Sequence, residues 1–202
     1  MQSVVVSSFS PARRLAFALV ALPWFAACSA APMTAPPTTE AIAPPAADEA
    51  NVPAPFRPFV GRHRGTMRML GAQGEQRVPM GLDVLPVPGE PSMLTWVLRY
   101  GDGETAQVRD YRLLVDDAAA GRCRIDERNG IVLPARLFGD ELVSIFVVPG
   151  QTLVVRYRAV PGGVDFVLEA FDPAKATAAG ADVRGVAEFS RQQAELRSTN
   201  AP

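Results

Sequence analysis

Few residue types in this chain could do chemistry, and their spacing sorts them quickly. His63 is the only imidazole in 202 residues. A histidine that catalyses or holds a metal needs companions: a nucleophile, an orienting carboxylate or further ligands. His63 has Arg62 and Arg64 beside it, and no ligand spacing links it to other donors. It therefore reads as a partly packed residue at the mouth of the fold, and no metal is expected. Three adjacent carboxylate pairs, Asp116–Asp117, Asp126–Glu127 and Asp140–Glu141, raise the idea of a general acid–base dyad. Each falls at an expected turn or strand end, and neighbours along a strand point to opposite faces, so the pairs do not converge. There is no Ser-His-Asp arrangement, phosphate loop or dinucleotide fingerprint. The expectation is a chain that is not an enzyme and carries no cofactor.

The aromatic residues point elsewhere. Trp96, Tyr100, Tyr111, Tyr157 and Phe166 could line an apolar interior together with Phe146, with Arg99 at its mouth and Arg109 or Arg156 as alternatives. An apolar cavity with a few placed polar groups is the usual form of a small-molecule site. Small barrels are also often filled by their own side chains. Two readings stay open on these residues, a ligand-binding interior and a filled structural or interaction module.

The elements that must position this set read as strand after strand. They are expected at 66–70, 77–85, 93–100, 106–115, 122–126, 131–138, 141–148, 152–160, 164–171 and 183–189. Short alternating strands separated by Gly, Pro, Asn and Asp turns predict an all-β body, and Asn129-Gly130 is the strongest hairpin signal among them. About ten strands with short connections favour a single antiparallel up-and-down barrel, whose closure removes exposed edges. A helical period is found only over 190–197. The barrel is expected over 59–190, with a C-terminal tail over 191–202. The run 142–148 is apolar on both faces, as if its outer side were covered by the tether, the tail or a partner.

The amino terminus is of another kind. Residues 1–12 carry no acid, Arg13 and Arg14 follow, and Leu15 to Phe25 is an unbroken apolar run. A membrane-spanning helix needs roughly 20 apolar residues, and this run has the shorter length of a secretion signal. Residues 28–58 are rich in Pro and Ala without helical or strand period, which predicts an extended, disordered tether. Export and a near-balanced charge, 20 basic against 21 acidic groups, argue against nucleic acid as a partner.

Two resemblances add to this. Phe25 to Cys28, "FAAC", resembles the lipobox of bacterial lipoproteins, although Phe stands where an aliphatic residue is usual. The resemblance implies a signal peptide over 1–27 and a diacylglycerol-modified Cys28 that anchors the chain in the membrane. Ser29 after the cysteine implies outer-membrane sorting, with the body facing the periplasm of the cell envelope. Ordinary signal-peptidase cleavage after Ala30 or Ala31, releasing a soluble protein, is the alternative. Gly61 to Gly65, "GRHRG", echoes the Gly-x-Trp motif near the first strand of lipocalin and calycin barrels, including the ten-stranded nitrobindin type, with His63 in place of Trp. That resemblance implies a barrel binding a small apolar ligand or an envelope partner. A nitrobindin-type haem is disfavoured, because its ligand is a late histidine and none follows His63. With Cys28 used as an anchor, Cys123 is left to be a buried packing thiol, an interchain bridge or a reactive group. Cys28→Ser is expected to shift the protein from the membrane pellet to the soluble fraction, and unchanged fractionation would remove the anchor.

Overall fold

The computed structural model describes residues 49–71 and 74–199. The expected signal peptide, Cys28 and the first part of the tether lie outside the described residues. Thirteen strands are present among the described residues. The first five are β1 (Gly61–Gly71), β2 (Gly74–Val84), β3 (Pro86–Val87), β4 (Glu90–Tyr100) and β5 (Gln107–Asp117). The next five are β6 (Arg122–Asp126), β7 (Val132–Phe138), β8 (Glu141–Val148), β9 (Gln151–Val160) and β10 (Gly163–Phe171). The last three are β11 (Thr177–Gly180), β12 (Val183–Gly185) and β13 (Phe189–Ser198).

Ten of these strands form one closed antiparallel meander. Each long strand pairs with its successor, β13 pairs with both β10 and β1, and β2 pairs with β4 across the short β3. The all-β barrel expected from the alternation is therefore present. β11 and β12 form a separate two-stranded ribbon.

Alternation along the strands places one face inside. In β4, Leu94, Trp96 and Leu98 are buried, with Arg99 outside beside Tyr100. In β10, Val164 and Phe166 are buried likewise. The outward faces carry Arg–carboxylate pairs between neighbouring strands, such as Arg124 with Asp116, Arg158 with Glu141, and Arg156 and Arg191 with Glu169. Tight turns join the strands: after Pro161, Gly162 takes φ 76°, a conformation open to glycine at little cost. The Asn129-Gly130 turn forms its hairpin over five residues, closed by a hydrogen bond from the Glu127 N–H to the Ile131 carbonyl at 3.0 Å.

Two boundaries differ from the expectation. The segment 190–197, expected as helix or tail, is part of β13, and the strand expected over 183–189 is only the short β12 followed by the start of β13. Gln, Ala, Glu, Leu and Arg are good helix formers, but two unpaired strand edges flank this segment and tertiary pairing overrides propensity. Ala194 and Leu196 then point into the core, while Arg191 and Arg197 reach acids outside. β13 approaches β1 so closely that a Cβ on Gly65 would lie 2.2 Å from the Glu195 carbonyl oxygen.

The second difference concerns the tether. Residues Glu49–Asn51 and Ala54–Phe59 form two short 3-10 turns, and Val52, Phe56 and Phe59 are fully buried in the core. Arg57 ties the segment to itself, its Nε donating to the Val52 carbonyl at 2.8 Å. Pro55 does not prevent this, since proline is tolerated in a first helical turn, and Pro58 falls just before the segment ends at Phe59. The aromatic pair drives the docking. Phe56→Ala is expected to destabilise the protein by about 3–5 kcal/mol, as for other buried Phe truncations. A urea midpoint unchanged from the parent would return this segment to the tether.

Candidate functional site

The two ends of the barrel differ. The end near the start of β1 is closed by Phe56 and Phe59. Behind them a contiguous aromatic stack crosses the interior. Phe59 meets Trp96 at 6.0 Å between ring centroids, Trp96 meets Tyr157 edge-on at 5.0 Å, and Tyr157 meets Phe166 at 5.3 Å. Leu82, Leu94, Leu113, Val164 and Leu196 fill the space around them. Edge and tilted ring pairs at these distances are the favoured arrangements. Burial pushes the Tyr157 hydroxyl well above the ordinary tyrosine range, against the opposing influence of the nearby Trp96 indole. The indole N–H itself has no partner in hydrogen-bond geometry, close though the hydroxyl is.

At the other end the inward residues are only half-buried. Met69, Val78, Tyr100, Tyr111, Leu133, Phe146 and Leu168 pack on the core below while retaining some exposure. The wall is also lower on one side. β6 and β7 are short, and pairing between β5 and β6 begins only at Arg112 with Asp126. On that flank, Gln107–Tyr111 has no strand partner. Pairing between β7 and β8 likewise stops at Ala135 with Ser144, which leaves Ile145–Val148 paired with β9 alone. The β6–β7 turn forms the sill of the gap. An open cleft of about 360 Å³ lies there, lined by Val108–Tyr111 and Glu127–Asn129.

One arginine faces inward at this cleft. Arg109 stands opposite Leu98 and its guanidinium donates to the Tyr111 hydroxyl at 3.3 Å. Burial raises the Tyr111 hydroxyl above its usual range and pushes Tyr100 up to about 12, so both are neutral donors at ordinary pH. Burial depresses Arg109, but the Tyr111 hydrogen bond, with Tyr111, Tyr100 and least of all Glu127 acting through their charge, outweighs it, and the guanidinium stays charged.

The expected ligand set is thus divided by the fold. Trp96, Tyr157 and Phe166 are on the inner face, stacked together in the closed half. Tyr100 and Tyr111 are on the inner face of the open half. Arg99 is outside, its Nε donating to Asp83 at 3.3 Å, and Arg156 is outside with Glu169. Parity along the strand carries the signal: Arg99 is adjacent to inward Tyr100, whereas Arg109 is two residues from inward Tyr111 and shares its face.

His63 is corrected as well. It lies at the closed end, 2% exposed, its Nε2 donating to the Phe59 carbonyl at 3.0 Å while Nδ1 has no partner. The period-2 pattern turns it inward beneath Phe59. Cys123 is free and buried, and burial pushes its thiol up to about 12, the state of an inert packing group. Among the described residues, no group of three His, Cys, Asp or Glu side chains is placed to hold a metal ion.

No protein-family model matches this sequence, and no curated protein matches it. Seven chains among solved structures do. One is an S-type phycobiliprotein lyase from Guillardia theta, 12% identical, which superposes with a TM-score of 0.51 over 73% of this chain and 92% of that one. The body of this protein has the lipocalin/calycin-like fold. The expectation of a non-enzyme is corrected by the same finding, because a protein of this fold is itself a lyase. The barrel gives no ground for setting catalysis aside.

Burial is the largest influence on His63 and lowers it below its ordinary 6.5, against the Phe59 hydrogen bond and Asp83. The unfolded chain therefore binds the proton more readily than the folded one. The stability held by the neutral ring is complete above the ordinary value and is lost progressively as the pH falls from there through the lower folded value. The urea midpoint is expected to fall between about pH 7.5 and about pH 5.5, and His63→Gln to reduce that fall. An equal fall in the variant would assign the effect to other groups.

Proposed function

We propose that this chain is a lipid-anchored protein of the bacterial envelope, held through Cys28 on the periplasmic side of the outer membrane, whose barrel binds a small apolar ligand. The reading of the leader supports the anchor. One observation carries the binding reading: the closed half of the barrel is packed by its own side chains, while the open half keeps inward apolar residues partly exposed. Buried apolar surface stabilises by roughly 25 cal/mol per Å², so partly wetted inward side chains are a standing attraction for an apolar guest. The open, mostly polar cleft at the gap shares Tyr111 with this half and gives it an approach from solvent. The likeness to a lyase barrel supports the fold from which this reading starts.

The neutral fluorophore N-phenyl-1-naphthylamine tests the reading without presuming a ligand. Its emission is expected to rise on addition of the purified full chain. Leu168→Trp, which fills the open half, is expected to weaken binding by about tenfold, since the loss of about 1.4 kcal/mol has that effect. Absence of binding by the parent chain would favour the filled module instead.

A further inference from the structure

The gap in the barrel wall holds a set of groups that the apolar reading does not use. Outside, arginines are matched to acids: Arg64 and Arg99 to Asp83, Arg112 and Arg128 to Asp110, Arg158 to Glu141. Arg57, Arg62, Arg136 and Arg184 enter no ion pair among the described residues either, but they are exposed to solvent, and Arg109 differs from them in its place. It is half-buried on the inner face, its one hydrogen bond goes to the neutral Tyr111 hydroxyl, and it enters no ion pair among the described residues. Glu127 makes no ion pair with it, although its carboxylate lies beside both Arg109 and the Tyr111 hydroxyl, which it helps to keep protonated, and it accepts from the Asn129 amide at 3.3 Å. Arg128, the other cation of the cleft, is held by Asp110.

The edges of the gap have a second character. Val108, Ile131, Val132, Ile145 and Val147 are all exposed, and all belong to the segments that frame it. An apolar rim leading to one inward guanidinium, with part-exposed apolar residues beyond, matches a molecule with one charged oxygen group and one hydrocarbon part.

We infer that the ligand of this barrel is an amphipathic anion, such as a carboxylate with an aliphatic or aromatic body, whose charged oxygens are held by Arg109 and the Tyr111 hydroxyl at the gap while its apolar part lies in the open half. This rests on the ligand-binding reading of the same cavity. A guanidinium offers two parallel donors to a carboxylate, which gives both strength and orientation. Glu127 opposes a second negative charge at the same place, so a monoanion is favoured over a more highly charged group.

Decanoate and decan-1-ol separate the two claims, since they share a chain and differ in charge. Calorimetric titration of the full chain is expected to find decanoate bound about tenfold or more tightly than the alcohol, the range of a charge-assisted hydrogen bond. Arg109→Gln is expected to abolish that preference and leave the alcohol unchanged, Tyr111→Phe to reduce it by a smaller factor, and Arg158→Gln on the outer face to leave it intact. Circular dichroism of each variant verifies that the barrel persists. Alcohol and decanoate binding equally, or a preference that survives Arg109→Gln, would overturn the anion site while leaving apolar binding in the open half standing. Failure of both probes to bind the parent chain would overturn the two readings together.

Discussion

The structure depends on one closing contact, the insertion of the last strand between the first strand and the tenth. Every other pairing in the barrel joins chain neighbours across a short connection. Only β13 reaches back, with His63 opposite Ser198 and Gly163 opposite Arg197. Without it, two edges of backbone donors and acceptors would be exposed, and no interior would exist to be filled or left open. Gly65 belongs to this seam, since any side chain there would meet the Glu195 carbonyl.

Closure makes an inside, and the amino-terminal segment then makes the two ends unequal. Phe56 and Phe59 cap one end and extend the stack of Trp96, Tyr157 and Phe166. The burial is complete enough to hold His63 neutral and to leave its Nδ1 without a partner. At the other end, no such plug is present among the described residues. A rigid packed half below a less packed half above is the arrangement in which a site can be held in shape without being occupied by the protein itself.

Much of this was legible in the residues. The strand-turn rhythm announced the barrel, because alternation with period 2 and Gly/Pro turns are local signals that closure does not alter. The inner face of β4 and β10 followed from the same alternation. What could not be read locally was set by distant partners. The helix-forming run 190–197 became a strand because two edges awaited it. Proline-rich residues near Phe56 joined the core because a barrel end needed filling. Among the three arginines open for the mouth, adjacency to inward Tyr100 puts Arg99 outside, whereas the two-residue spacing from Tyr111 puts Arg109 inside. The gap between β5 and β8 was hidden because it depends on comparing the lengths of strands far apart in the chain.

That gap has a mechanical consequence. A barrel laced on every side can widen only by breaking whole ladders, and the seam at β13 is long. Here Gln107–Tyr111 and Ile145–Val148 already lack neighbours on their facing flanks. Local opening costs least where backbone pairing is sparse. The cylinder can therefore breathe at its shortest staves, with amides there exchanging hydrogen early, and a bulky guest could pass sideways through the wall while the stitching elsewhere stays whole.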